Sequence, residues 1–443
     1  MLEKSMDFKN KNILVLGLGI SGLGAVDLLN KLDANVFVHD DRNSKQVNGQ
    51  SVNISSLAEM ESKHFTAIIK SPGIPLENWY VKAAQDLKIP IMTELELAGR
   101  FCKSHLIAVT GTNGKTTVTS LIYEMIKKDN KCRVYKAGNI GIPFSEIVQK
   151  SGKDDYIVCE SSSFQLEFTQ QFHPEVAVIN NVFPHHLEHH HTFDNYLAAK
   201  SKIFSNQTKN DYLIINENHS TLDPYIDKAE SKVKYFGLNL NSSQAQVYLK
   251  NNFIYYRNDV ICSKDDILIP GKHNIENFLA AATVAKILNV SNEAIKFAAK
   301  NFKGVEHRLE YLGKKKGLIF YNDSKATDEE ATIVALNSIH SPIILLAGGM
   351  ERGDLFENLP KNLKNVKLVE LFGENKKVLQ KAIAPTGVKM FLNDNLLQAF
   401  QDGVQKSKTG DAILLSPASA SWDQFSSFEE RGTMFKELYR ELK

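Results

Sequence analysis

Twice in this chain an apolar, β-branched run ends in a glycine turn and gives way to a helical pattern: "KNILVLGLGISGLGAV" at residues 11–26 and "HLIAVTGTNGKTTVTSL" at 105–121. Strand, tight turn and helix in that order build parallel sheets, because parallel strands need a crossover that a helix usually supplies. The alternation recurs through "NVFVHD", "TAIIKSPG", "YIVCESSSFQL", "EVAVINNV", "DYLIIN", "SPIILLAGGM", "KLVELFGE" and "GDAILLSPASAS". The predicted fold class is therefore α/β with mostly parallel sheets. A chain of 443 residues exceeds what one hydrophobic core usually serves. Three domains are expected: a Rossmann-like unit over 1–96, a central P-loop-type ATPase unit over 97–302 that closes on the helical "NIENFLAAATVAKIL", and a Rossmann-like unit over 303–443.

The two glycine turns promise different chemistry. Gly17, Gly19 and Gly22 have the spacing G-x-G-x-x-G, and Asp40 ends the next strand about where a ribose-binding acid would stand. This turn suits a dinucleotide, another diphosphate, or simply a helix packed close on a sheet. In "GTNGKTT", amide-rich glycines precede Lys115, a cation for phosphate oxygens, and Thr116, a hydroxyl for magnesium. That combination reads as an ATP site, although Val109 stands where a full G-x-x-x-x-G-K-[ST] pattern has its first glycine.

Further polar residues follow strands. Glu160 ends "YIVCE", where a carboxylate can reach a phosphate-bound magnesium or simply face solvent. "NNVFPHHLEHHH" crowds His185, His186, His189, His190 and His191 together, and His186 with His190 could share one helix face. Zinc is one reading, but H-E-x-x-H and a cysteine pair are both missing, so exposed histidines are expected. Lys200 in "NYLAAKSKIF" reads as an ordinary surface helix lysine.

Lys plus Arg at 53 against Asp plus Glu at 51 is too balanced for a broad nucleic-acid surface. No apolar stretch approaches the length of about 20 residues that spans a bilayer. Cys102, Cys132, Cys159 and Cys262 lie far apart, as reduced thiols of a cytoplasmic protein would. Small-molecule partners, with no nucleic acid and no membrane, and a monomeric chain are the expectation.

In order, "GTNGKTT", "GNIG", "ESSSFQL", "HNIEN", "EHRLE", "NDSKAT" and "SPASASWDQF" resemble the motifs of the ATP-dependent Mur ligases of peptidoglycan synthesis, over nearly the whole chain. Within that family "DSKAT" and "SPASASWDQF" are most similar to the branch that adds D-glutamate to UDP-N-acetylmuramoyl-L-alanine through an acyl phosphate. The resemblance implies that Gly19, Ile20, Ser21, Asp40, Asp41, Arg42, Ser71 and Gly73 hold the UDP end, so that the first turn takes UDP rather than NAD, and that Asn139 reaches the muramoyl part. It assigns ATP to Gly111, Thr112, Asn113, Gly114, Lys115, Thr116, Thr117, Asn277, His307, Arg308, Asp323 and Lys325. It assigns D-glutamate to Thr327, Arg352, Ser421 and Phe428, and two magnesium ions to Thr116, Glu160, His186 and a carbamylated Lys200. Lys115, His186, Lys200 and Arg308 are the catalytic group it implies. The chain departs from the common family pattern at His185, where aspartate is frequent, at Arg352, where lysine is, and at Asp328, where asparagine is. Another Mur ligase or a folylpolyglutamate synthase, an NAD-dependent oxidoreductase, and a P-loop ATPase or binding module are the competing readings.

Overall fold

A computed structural model of the protein describes residues 7–41, 47–218, 220–238 and 245–442. Arg42 lies outside the described residues. Three sheets organise the rest. Their central strands, such as Ala67–Lys70, Val176–Ile179 and Ala412–Leu415, are buried along their whole length. Continuous apolar runs are what a strand covered on both faces requires.

The first sheet is parallel throughout, in the order Gln50–Ser51, Asn35–His39, Asn12–Leu16, Ala67–Lys70, Ile91–Met92. Its order reverses between Asn12–Leu16 and Ala67–Lys70, and at the carboxyl ends of those two strands Ser71 Oγ donates to the Gly17 carbonyl at 2.9 Å. Ligand crevices of open α/β sheets open at such reversals. A β-carbon at Gly22, in the helix Ile20–Lys31, would sit 1.9 Å from the Gly17 oxygen, so the third glycine of the turn is needed to seat the helix.

The second sheet has nine strands in the order Asp259–Ser263, Phe253–Tyr256, Ala245–Lys250, Lys232–Gly237, Tyr212–Asn216, Val176–Ile179, His105–Thr110, Tyr156–Glu160, Val134–Gly138. Only the hairpin pairings of Ala245–Lys250, Phe253–Tyr256 and Asp259–Ser263 are antiparallel. His105–Thr110 lies between Val176–Ile179 and Tyr156–Glu160, so the "GTNGKTT" turn is flanked on either side by a strand end. The helix Glu94–Phe101 fastens the first two sheets together. Its fully buried Glu96 carboxylate accepts the N–H groups of Gln170, Gln171 and Phe172 and the Arg100 guanidinium at 2.8–3.1 Å.

The third sheet runs Glu310–Lys315, Leu318–Asn322, Ala412–Leu415, Ile343–Gly348, Val366–Phe372, Lys389–Leu392, with only its first pair antiparallel. The described residues up to Lys264, with Glu276–Ala298, form one compact unit that contains the first two sheets. Asp265–Ile275 and the residues from Ala299 onward form the other, which contains the third. Among the described residues no helix is long and apolar enough to cross a membrane.

Candidate active site

Residues 111–114 turn the chain from the strand His105–Thr110 into the helix Lys115–Asp129. Gly114 has φ +80°, and a β-carbon there would lie 2.2 Å from Asn277 Oδ1 and 2.6 Å from Asn180 Nδ2. Only glycine fits that conformation in that space. Asparagines hold the loop: Asn113 N–H donates to Asn181 Oδ1 at 2.8 Å, and Asn180 Nδ2 donates to the Asn113 carbonyl at 3.1 Å and to Asn277 Oδ1 at 2.7 Å. The amide hydrogens at the start of the helix form the anion-binding end of an α-helix.

Two lysines meet beneath this loop. Lys115 Nζ donates to the carbonyls of Gly111 and Thr112 at 3.0 and 2.9 Å, and Lys200 Nζ donates to the Gly111 carbonyl at 2.8 Å. Lys200 is 1% exposed, with its ammonium over the Tyr196 ring, 4.6 Å from the centroid. Burial, and secondarily the Lys115 charge, hold its amine well below the ordinary lysine value. The surface lysine expected from the local sequence is thus a core residue, carried inward on a helix whose Tyr196, Leu197 and Ala199 are also buried.

Glu160 is 2% exposed rather than solvated. Its Oε1 accepts from Asn139 Nδ2 at 2.9 Å, while Oε2 is buried without a hydrogen-bond partner. An orphaned carboxylate oxygen at a strand end fits a cation. A cavity of about 300 Å³ opens here, lined by Pro72 and Gly73 of the first sheet's loop, by Lys115, Asn139 and Lys200, and by His186, Phe164 and Tyr196. His186 occupies a left-handed conformation, φ 55°, immediately before the turn Leu187–His190. Its Nδ1 lies 3.3 Å from Glu188, and burial with His185 beside it lowers its pKa.

Around the first turn, Ser71 bonds to Gly17, the Leu18 N–H donates to Asp40, and Asp41 lies 3.1 Å from His39 Nε2. Ile20 is 65% exposed at the start of its helix, after Gly19 at the N-cap.

In the other unit, Asp323 directly follows the strand Leu318–Asn322 and accepts from Leu309 N–H at 2.9 Å and Ser416 Oγ at 2.7 Å. Burial pushes its carboxyl up to about 7. The Lys325 N–H donates to the His307 carbonyl at 2.9 Å, and the Lys325 ammonium lies 5.5 Å from the Phe428 ring centroid. Arg308 is exposed next to buried His307. Arg352 Nη2 donates to the Thr327 carbonyl at 3.1 Å. Asp328 caps the helix Glu329–Ser338 by accepting from Ala331 N–H at 2.8 Å, a role asparagine fills equally well, which accounts for one of the three departures.

Family models match most of the chain: the Mur ligase MurD-like N-terminal domain over 11–93, the Mur ligase middle domain over 109–285 and the Mur ligase glutamate ligase domain over 307–419. The chain belongs to the Mur ligase family. The UDP-N-acetylmuramoylalanine–D-glutamate ligase of Limosilactobacillus reuteri (strain DSM 20016) is 42% identical over 454 residues, covering 100% of this chain and 99% of that protein. The protein of the same name from Bacillus cereus (strain B4264) is 41% identical, covering 98% and 99%. The solved UDP-N-acetylmuramate-alanine ligase of Thermotoga maritima shares the fold, with a TM-score of 0.58 at 17% identity over 98% of this chain and 100% of that one. A MurF ligase from the same organism, solved with ADP, gives 0.57 at 19% identity over 99% and 97%.

This Mur ligase departs from its sequence expectations most in the histidine run. The Leu187–His190 helix is a single turn, and His186 precedes it in a left-handed conformation, so His186 and His190 do not share a helix face. His185 and His191 are exposed as expected, but His190 is 3% exposed and His186 and His189 are half-buried. The reason is Phe164, whose ring centroid lies 4.5–5.5 Å from those of His186, His189 and His190. Asn180, Asn181, Tyr196 and Phe164 lie within quoted stretches but carried no role in the sequence expectation. The doubled asparagine directly after the strand "EVAVI" is the one local signal that pointed to the first two.

Proposed function

We propose that this protein joins D-glutamate to UDP-N-acetylmuramoyl-L-alanine, consuming ATP, in a cytoplasmic step of peptidoglycan precursor synthesis. The observation that carries this reading is identity above 40% along the full chain to proteins named for that activity. Lys115, Lys200 and His186 line one cavity with Asn139, which donates to Glu160, and that arrangement supports it.

A carboxylate is a poor electrophile in water. In our reading the alanyl carboxylate attacks the γ-phosphorus of ATP, giving an acyl phosphate and ADP. The D-glutamate nitrogen then attacks the acyl carbon, and inorganic phosphate departs with the electrons of the broken C–O bond. The amides of residues 111–117 cradle the phosphates, Asn277 keeps the loop in shape, and the Lys115 ammonium exchanges its carbonyl partners for phosphoryl oxygens. Phe164 and Tyr196 wall the cavity against water, which would hydrolyse an acyl phosphate. Gly19, Ile20, Ser21, Asp40, Asp41, Ser71, Gly73 and Asn139 are assigned to the UDP substrate. His307, Arg308, Asp323 and Lys325 are assigned to ATP, and Thr327, Arg352, Ser421 and Phe428 to D-glutamate.

Magnesium prefers oxygen donors. The Thr116 hydroxyl and the orphaned Glu160 oxygen fit that preference, and His186 adds one nitrogen. The Lys200 amine fits only when carbamylated, and the burial that disfavours its charged form also favours its reaction with carbon dioxide. Two ions bound by these four residues would offset charge on the transferring phosphoryl group.

Phosphate release is the test. With ATP, magnesium and UDP-N-acetylmuramoyl-L-alanine, D-glutamate alone among added amino acids should release phosphate. Release that depends on a different amino acid, or on none, overturns the assignment. A single monomeric species in gel filtration is expected.

A further inference from the structure

We propose a second metal site in this protein, for a divalent transition ion of the zinc class, formed by Glu167, His189 and His190. Its three donors are distinct from the four residues assigned to magnesium, and it stands whether or not the ligase reading does. One carboxylate oxygen and two imidazole nitrogens from these residues lie within 4.8 Å of one another. Glu167 Oε2 and His189 Nε2 are already 2.9 Å apart, and His190 Nε2 is 3.0 Å from Ser163 Oγ. Donors bonded to zinc at about 2.0–2.1 Å in a tetrahedron stand roughly 3.3 Å from one another, so the Glu167–His189 pair at 2.9 Å lies slightly inside that spacing and the third donor lies within 4.8 Å.

Three features separate this cluster from histidines that merely face solvent. The His189 and Glu167 side chains are only 11% and 21% exposed, and His190 is 3% exposed. Phe164 covers both rings, at 4.5 and 5.5 Å between centroids, and also packs against His186 at 5.0 Å. Lys202 donates to the backbone carbonyl of Glu167 and leaves its carboxylate to His189. Two imidazoles with one carboxylate select zinc-like ions over magnesium, and three protein donors leave a fourth position for water. The Ser163 hydroxyl is placed to orient the ring or the bound water. A bound ion would tie the turn Ser163–Leu166 to Leu187–His190, the segment that His186 begins.

The test uses the full chain stripped of metal, with magnesium in large excess to occupy the oxygen-rich site. Zinc titration followed by dialysis and elemental analysis should give one ion per chain, with a raised Tm. His189→Gln and Glu167→Gln should each weaken binding at least tenfold and remove the Tm increase. Cobalt in the wild-type protein should develop the visible bands of a four-coordinate site, a readout that needs no variant. The proposal is overturned if zinc is not retained, if cobalt gives no such bands, or if binding survives both substitutions and is lost in His186→Gln.

Discussion

Lys115 and Lys200 donate to the same oxygen, the Gly111 carbonyl, at 3.0 and 2.8 Å. Two ammonium groups on one acceptor repel, and the fully buried partner yields: Lys200 is the amine held well below its ordinary pKa, with Lys115 one of the causes. A carbamate on Lys200 would turn a cation–cation contact into a cation–anion one and would supply the oxygen donors that magnesium needs.

Lys200→Ala should therefore lower turnover by about 10²–10³, the scale of loss when one preorganised electrostatic partner is removed from an active site. A short carboxylic acid such as formate, added to the variant, should restore part of the rate by occupying the vacated space as an anion. Phosphate release measures both. Near-normal activity of the variant would refute the role.

Glu160→Gln keeps shape and removes charge at the one carboxylate oxygen here that is buried without a partner. The magnesium concentration giving half-maximal phosphate release should rise by about tenfold or more, by analogy with losses seen when metal-site partners are changed. An unchanged magnesium requirement would mean that Oε2 faces no ion.

How much of this was legible beforehand depends on how far each contact reaches along the chain. The "GTNGKTT" loop is local: strand, glycines, lysine and helix follow one another, so its chemistry can be read in order. The burial of Lys200 is not local, because it depends on Thr110 and Gly111, some ninety residues away. Asn180 reaches the loop because Val176–Ile179 pairs beside His105–Thr110, an adjacency that no local pattern encodes. The histidines looked like a solvated run because Phe164 and Glu167, which bury them, come earlier in a different turn. The central parallel strands were legible, since strands buried on both faces leave uninterrupted apolar runs, whereas partly exposed strands such as Phe253–Tyr256 and Lys389–Leu392 were not.

Gly114→Ala tests the loop itself. An alanine at φ +80° costs about 1–3 kcal/mol, and its β-carbon would also push on Asn277 and Asn180. Chemical denaturation should show at least that loss. ATP-dependent phosphate release should fall further than stability does, because the displaced asparagines also hold Asn113.

Asp323 gives a pH signature. Burial raises its folded-state carboxyl to about 7, against an ordinary value of 3.8. Below the lower value both folded and unfolded chains hold the proton, and the group has no effect on stability. Between the two values the unfolded chain has released a proton that the folded chain keeps, so stability falls as pH rises, at roughly 1.4 kcal/mol per unit, and levels off above about 7. Asp323→Asn removes that slope. Denaturation at pH 5 and pH 8 should show the variant gaining on the wild type by a few kcal/mol at the higher pH; an equal difference at both would place the carboxyl at its ordinary value.

Arg352 departs from the lysine common in the family, and its guanidinium spans from the Thr327 carbonyl, at 3.1 Å, toward Asp354, at 4.0 Å. A planar fork that spends one N–H on Thr327 retains others for a carboxylate, whereas an ammonium at that position offers a single point charge on a shorter reach. If this arginine holds a D-glutamate carboxylate in ground and transition states alike, truncation removes uniform binding. Arg352→Ala should then raise the KM for D-glutamate by about tenfold or more with kcat little altered, and leave the KM for ATP where it was. Arg352→Lys should recover part of the loss, since the charge returns without the fork. A fall in kcat with unchanged KM would instead assign Arg352 to the reacting centre, and no effect in either variant would remove it from the amino-acid site.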